Sequence, residues 1–363
     1  MKKYKVAVYA ICKNEEKFVE KWMNSLEEAD AVFVLDTGST DNTVKLLRER
    51  GAIVYEEIIK PWRFDVARNK ILSLIPSDID ICFSIDLDEF PEKGWREKLE
   101  RDWTPKVTKA RYTYVVSRDN EGKVLKAFTI EKIHTRKNYQ WVHPVHEYLE
   151  YNGKGKEIRI DIYDIILNHC PDLSKSRGQY LPLLELSAKE NPLDNSVIFW
   201  LGREYLFNKN YIECIKTLKK HLELNSANWN EERSASMRYI AESFRMLNDR
   251  NSEKNWLLKA VAECPSVREP YLELAKYAYK ASDWVLTYWA SLEGLKINNR
   301  SGSYLLSEEA WGYILYDLAA ISAYYMGLFN EAIKYSEIAC AMIPDDERLK
   351  TNHRLYLEKL GEN

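Results

Sequence analysis

Apolar residues in this chain keep two rhythms, and the change between them near residue 172 limits the fold more than any other feature. Before the change, short apolar runs alternate with amphipathic stretches. Val6-Ala7-Val8-Tyr9-Ala10-Ile11 reads as a buried strand, Glu16 to Leu26 as a helix and Ala31 to Leu35 as a second strand. Thr43 to Arg50 reads as a helix, Ile53-Val54-Tyr55 as a strand, Val66 to Leu74 as a helix and Ile81 to Ile85 as a fourth strand. Continuous apolar strands separated by helices indicate a mostly parallel sheet covered on both faces. Ligands of such folds bind beyond the carboxyl ends of the strands. The loops after Ile11, Leu35 and Ile85 are therefore where chemistry belongs. From about Ala110 to Leu167 the pattern is strand-rich and less regular, with Arg111 to Ser117, Lys123 to Ile130 and Ile158 to Ile162 as candidate strands.

From Tyr180 onward the pattern is helical almost without a break. Asn191 to Leu224 is 34 residues, the length of a tetratricopeptide repeat. Leu201-Gly202-x-x-Tyr205 places a small residue between large ones where two helices would cross. Ile240-Ala241-x-x-Phe244 with Ala260 and Pro265 repeats the pattern loosely, as do Tyr271-x-x-Leu274-Ala275 and the set Ala332, Ala339, Pro344. Antiparallel helices approach closely only where side chains are small. The last helix, Glu347 to Leu360, is charged enough to serve as a solvent-facing cap.

A length of 363 residues suits two domains, placed at 1–172 and 173–363. The net charge of -3 gives no bulk attraction to nucleic acid or anionic lipid. No apolar run has the length to span a bilayer, and Val6 to Cys12 is too short for a secretory signal, so the expected location is cytoplasmic. The six cysteines, Cys12, Cys82, Cys170, Cys214, Cys264 and Cys340, form no CxxC pair and read as reduced, small apolar residues.

Three polar clusters fall at strand ends: Cys12-Lys13-Asn14-Glu15-Glu16, Asp36-Thr37-Gly38-Ser39-Thr40-Asp41-Asn42-Thr43, and Asp86-Leu87-Asp88-Glu89. Each alone has an ordinary explanation, as a helix cap or a solvated turn. Their order and spacing say more. With Ala67-Arg68-Asn69-Lys70 and Trp141-Val142-His143-Pro144-Val145-His146-Glu147, they make the chain resemble the family 2 glycosyltransferases. The resemblance is to members that run on into tetratricopeptide-type repeats. It covers about Lys5 to Asp172, with the repeats over most of the remainder.

The resemblance implies an α/β GT-A domain with a Rossmann-like mixed sheet, followed by an all-α tetratricopeptide-like domain. It implies a metal-dependent, inverting transfer of a sugar from a nucleotide-diphosphate donor, in the first instance a UDP-hexose. Hard divalent ions, Mn²⁺ or Mg²⁺, suit carboxylates at a strand end and neutralise a diphosphate leaving group. By resemblance, Asp88 binds the metal, and Asp86 faces the metal or the ribose. Asp36 accepts from the nucleobase, and Asn14 and Glu15 belong to the nucleotide site. Arg68 pairs with phosphate or the base edge, or is a surface ion pair. His169 is a third metal ligand, a phosphate contact or a structural residue. The general base is Glu147 or His146, with the carboxylate preferred, and His143 orients a loop. The acidic helix pair of the commoner family pattern does not stand out cleanly in this chain, which leaves the choice of base open.

The repeats suggest a peptide or protein acceptor and offer a surface for homo-oligomerisation. A saccharide or lipid-linked glycan is the alternative, because His-Pro-Val-His-Glu is also similar to lipopolysaccharide-core transferases. A non-catalytic repeat scaffold with a degenerate transferase domain is the rival from another class. A nucleotidyltransferase would need a glycine-rich loop after the first strand. Gly153-Lys154-Gly155-Lys156 has the wrong spacing for a phosphate loop, and neither HExxH nor GxSxG occurs.

Overall fold

The computed structural model describes residues 3–119, 121–172 and 178–361. Chain contacts divide it into two compact units, Met1–Ser187 and Ala188–Asn363. The boundary expected after residue 172 abuts residues 173–177, which lie outside the described residues.

In the first unit β1 (Val6–Cys12), α1 (Glu16–Ser25), β2 (Ala31–Asp36), α2 (Thr43–Glu49), β3 (Ile53–Glu56), α3 (Phe64–Leu74) and β4 (Ile81–Ser84) follow in the expected alternation. Then come β5 (Glu89–Pro91), α4 (Trp95–Asp102), β6 (Lys109–Arg118), β7 (Val124–Thr135), β8 (Tyr139–Val142), β9 (Tyr148–Tyr151), β10 (Arg159–His169) and α5 (Tyr180–Glu190). Eight strands form one sheet in the order β3-β2-β1-β4-β7-β6-β10-β5, and β8 and β9 form a separate hairpin. Strands β3, β2, β1 and β4 are parallel; β7 then runs antiparallel to both β4 and β6, so the sheet is mixed.

Successive side chains of a strand face opposite sides. Along β1, Val6, Val8 and Ala10 pack on one face with Trp22 of α1 and Trp95 of α4. Ala7 and Tyr9 pack on the other face with Ala67 and Ile71 of α3 and with Trp141 of β8. Each fully buried large side chain contributes about 1.5–3 kcal/mol, so both faces are needed to hold the unit. The sheet ends matter most for function. Strand β10 slips register between Ile162 and Ile166, then pairs antiparallel with β5, setting His169 opposite Glu89. The short strand β5 and helix α4 were not expected, because three residues and a strongly charged helix carry little periodic signal.

The second unit is all helical among its described residues: α6 (Asn195–Phe207), α7 (Tyr211–Glu223), α8 (Asn230–Met246), α9 (Arg250–Glu263), α10 (Glu269–Lys280), α11 (Trp284–Leu295), α12 (Glu308–Trp311), α13 (Ile314–Tyr325), α14 (Phe329–Met342) and α15 (Glu347–Gly361). Four hairpins, α6–α7, α8–α9, α10–α11 and α13–α14, close with the same turn. Lys209, Asn248, Ser282 and Gly327 adopt left-handed φ values of 62, 60, 55 and 75°. The next amide then donates back to the preceding helix: Asn210 to Tyr205, Asp249 to Phe244, Asp283 to Ala278 and Leu328 to Ala323, at 2.8–2.9 Å. This satisfies a carbonyl that the helix end would leave unpaired. Gly202, Ala241, Ala260, Ala275, Ala332 and Ala339 are buried, as close helix crossings require. These repeated hairpins make the unit tetratricopeptide-like. The final helix is a cap with one buried face, because Leu349 and Tyr356 pack inward.

Candidate active site

Loops β1–α1 and β2–α2 brace one another. Asn14, at φ 55°, accepts the Thr40 amide at 2.7 Å and donates its own amide to the Ser39 hydroxyl oxygen at 2.8 Å. The Glu15 amide donates to Thr43 Oγ1 at 2.8 Å. Asp36 Oδ1 accepts the amides of Gly38 and Ser39 at 2.9 and 2.8 Å. Its Oδ2 accepts the Ser39 hydroxyl and the Cys12 thiol. A carboxylate offers about four acceptor sites, and here all four are in use. In this arrangement the Asp36 carboxylate fixes the loop that follows β2. Asn14 likewise serves the brace. Burial and the neighbouring Asp36 push the Cys12 thiol far above its ordinary range, which suits an inert core residue.

The ionisable centre lies at the carboxyl ends of β4 and β10 and on the stretch of β7 around Lys132. Arg68 of α3 is 5% exposed and reaches two acids. Its Nη1 and Nη2 donate to Asp86 Oδ1 and Oδ2, both at 2.9 Å, and its Nε donates to Glu147 Oε1 at 2.5 Å. Nη1 also meets Ser84 Oγ at 3.2 Å. Lys132 of β7 lies 3.2 Å from Asp86 and 3.0 Å from Glu89. The Tyr114 hydroxyl donates to Glu89 at 3.1 Å, and the Tyr114 ring lies 5.5 Å from the His169 ring. His169 Nε2 is 3.4 Å from Asp88 Oδ2.

Burial would raise the Asp86 carboxyl, but Arg68 and Lys132 outweigh it and hold the group well below the usual carboxylate range. Glu89 goes the other way: burial pushes it up, and Lys132 offsets only part of that. Burial alone would lower His169, but the hydrogen bond and charge of Asp88 raise it above its ordinary value. Exposure is graded across the network. The side chains of Arg68 and Glu89 are sealed at 6% and 4%, while Asp86, Asp88 and His169 form a rim at 25–27%. A ligand would meet that rim first.

Asp88 and His169 give two oxygen and nitrogen donors side by side. That fits a Mg²⁺ or Mn²⁺ ion taking its remaining ligands from a diphosphate and water. Among the described residues no group of three or more His, Cys, Asp or Glu side chains is arranged to hold an ion alone. Of the expected set Asp86, Asp88 and His169, the last two lie side by side, and both Asp86 oxygens face the cations of Arg68 and Lys132. Arg68 is buried between the acids Asp86 and Glu147, so its ion pairs are not surface ones.

The segment 143–147 docks on α3. Phe64 donates its amide to the Pro144 carbonyl at 3.0 Å, and His143 Nδ1 lies 3.1 Å from Ser187 Oγ. His146 has φ 53° and its ring lies 5.9 Å from that of Tyr180. Glu147 of this segment joins the Arg68 network. Lys132, Glu89 and Tyr114 had no assigned role in the sequence. Their one signal is a lysine set inside a strand next to Ile133.

Residues 7–164 match the family model of glycosyl transferase family 2. The chain is 33% identical over 99 residues to the lipopolysaccharide core biosynthesis glycosyltransferase LpsC of Rhizobium meliloti (strain 1021), covering 27% of this chain and 36% of that protein. It is 34% identical over 97 residues to an uncharacterized glycosyltransferase of Rickettsia bellii (strain RML369-C), covering 26% and 32%. The chain thus spans about a third of the length of these relatives. Solved structures similar to part of it include YrrB, a TPR protein with an unusual peptide-binding site, at 12% identity and TM-score 0.40 over 48% of this chain and 81% of that one. A structure of MamA protein matches at 16% identity and TM-score 0.35, over 45% and 80%.

Proposed function

We propose that this chain, whose residues 7–164 form a family 2 glycosyltransferase domain, moves a sugar from a nucleotide-diphosphate donor, a UDP-hexose in the first instance, to a peptide or protein acceptor with inversion. The observation that carries the reading is the graded network, with Asp88 and His169 open at its rim over the sealed Arg68. Asp88 and His169 would hold a divalent ion, which when bound supplies neutralisation of charge on the leaving diphosphate. Glu147 takes the acceptor's proton as the acceptor attacks the anomeric carbon, and the bond from that carbon to the diphosphate breaks with its electron pair leaving on the diphosphate. Arg68 holds Glu147 against the strand-end acid Asp86, which keeps the base in place before the acceptor arrives.

A second reading, transfer to a saccharide or lipid-linked glycan, is favoured by the likeness to a transferase named for lipopolysaccharide core biosynthesis. No helix among the described residues is long and apolar enough to cross a membrane.

The test is thermal stability against a panel of nucleotide sugars with and without Mn²⁺, followed by transfer assays with peptide and glycan acceptors. A ligand that binds the native state raises its stability. Stabilisation by one donor only with metal supports the reading. Asp88→Ala should keep the fold and lose transfer, and Glu147→Gln should keep donor binding and lose transfer. No shift with any donor, in a folded protein, would favour the non-catalytic scaffold.

A further inference from the structure

Behind Arg68 lies a buried polar chain that none of the chemistry above uses. His134 of β7 and Tyr9 of β1 are both fully buried. His134 Nδ1 is 2.8 Å from the Thr135 carbonyl, and its Nε2 is 2.8 Å from the Tyr9 hydroxyl. The indole Nε1 of Trp141 donates to the same hydroxyl at 2.9 Å. These contacts leave no freedom in the placement of hydrogens. A carbonyl only accepts, so Nδ1 carries the proton and Nε2 accepts. Tyr9 must then donate to His134, and its oxygen must accept from Trp141. Burial presses His134 down to about 3, so the ring stays neutral and the pattern holds across ordinary pH.

Trp141 passes this order to Arg68 by two routes. Its ring is a platform 4.9 Å from the Arg68 guanidinium carbon. Its backbone amide and carbonyl clamp the Asn69 side chain at 2.8 and 2.7 Å, beside Arg68 on α3. The guanidinium held in this way makes the fork to Asp86 and the bond to Glu147.

We propose that Tyr9 is a positioning residue: through Trp141 it holds the Arg68 guanidinium, and with it Asp86 and Glu147, in the arrangement that sugar transfer uses. The inference rests on the transferase reading for its purpose, but its geometry can be tested without turnover. A chain of three buried groups in which each hydrogen has one partner is stiff, because rotating any member strands the next. Tyr9→Phe would leave the Trp141 N–H and the His134 nitrogen unpaired together, and the platform would be free to tilt.

The experiment is proton exchange at the Arg68 Nε–H in the full chain, followed by NMR with labelled arginine. The signal is assigned by its loss in Arg68→Lys. In Tyr9→Phe, well below its unfolding midpoint, this proton should exchange about tenfold faster, while amides of β1 and β2 keep their wild-type protection. Trp141→Phe keeps a ring platform, removes only the donor, and should show the same selective effect. It serves if Tyr9→Phe does not fold. An unchanged Arg68 signal in the folded variants overturns the proposal, and so does a uniform rise at every site, which marks a merely structural role. Failure of the wild-type protein to turn over any nucleotide sugar, with the selective effect intact, would count against the transferase reading and leave the positioning role standing.

Discussion

Arg68 and Asp86 meet as a two-pronged fork, Nη1 to Oδ1 and Nη2 to Oδ2, each at 2.9 Å. The fork joins helix α3 to the end of strand β4 in the middle of the sheet. It explains why a residue of the Ala67-Arg68-Asn69 run and the first acid of the Asp86-Leu87-Asp88 run, 18 positions apart, behave as one unit. Arginine is suited to this because its planar donors match a carboxylate and leave Nε free for Glu147.

Arg68→Ala should cost about 3–5 kcal/mol of unfolding free energy, because it leaves the Glu147 carboxylate without its cation and Asp86 with Lys132 alone. Arg68→Lys restores charge without the fork and should fall between that variant and the wild type, with transfer reduced more than stability. Urea denaturation of both variants measures this. An Ala variant as stable as the wild type would mean that the pair contributes nothing net.

Lys132 sits between two acids of opposite tendency, Asp86 held low and Glu89 pushed high. Lys132→Met should destabilise the fold, and the loss should depend on pH. A group whose folded-state pKa is raised contributes stability at low pH and loses it as pH rises through that value. Without Lys132, Glu89 moves further up, so the variant should be weakest at neutral and alkaline pH and recover on mild acidification. Adding Glu89→Gln, which removes the buried charge, should restore part of the loss at neutral pH. A pH-independent penalty would show that Lys132 acts by packing alone.

His134 predicts the opposite slope. Its pKa is pressed from 6.5 to about 3 by burial, so its stabilising effect is complete above about 6.5 and drains away as pH falls toward 3. A part of the acid sensitivity of the wild type, on the order of a few kcal/mol, should disappear in His134→Gln, whose amide can still accept from Tyr9 and does not titrate. Denaturation midpoints compared at neutral pH and in this acid window decide it. Parallel slopes for the two proteins would remove His134 as the cause.

The sequence disclosed these features unevenly, for physical reasons. Strands β1, β2 and β4 were readable because strands buried on both faces must be apolar throughout, and helices α1 to α3 because they alternate with them. The loop motifs were readable as clusters, but their tasks were not. Asp36 looks the same in one dimension whether its oxygens face a nucleobase or the amides of Gly38 and Ser39. Tyr114 and Lys132 reach the acids Glu89 and Asp86 across 25 and 46 positions of sequence, from the consecutive strands β6 and β7. The link from Tyr9 to Trp141 spans 132 positions, and nothing local marks it. In the helical unit the small residues were legible because their spacing is set by helix crossings. The shared left-handed turn was not, because Lys209, Asn248, Ser282 and Gly327 have no side-chain chemistry in common.

Two helix glycines separate close packing from helix propensity. A Cβ at Gly202 of α6 would lie 2.5 Å from Leu218 Cγ, and Leu218 is fully buried. At Gly294 of α11 the nearest atoms, Leu315 Cδ1 and Tyr271 Cβ, are 3.1 Å off, which a shift of a few tenths of an ångström relieves. Alanine in a helix gains about 1 kcal/mol over glycine at either position. Overpacking costs about 1–3 kcal/mol where neighbours cannot move. Gly202→Ala should therefore lower the stability of the helical unit by up to about 2 kcal/mol, while Gly294→Ala should lie near zero or be slightly stabilising. Thermal unfolding of both variants measures the difference. If Gly202→Ala proves the more stable of the two, the α6–α7 crossing is looser than its buried glycine implies, and the small residue there reflects something other than close helix contact.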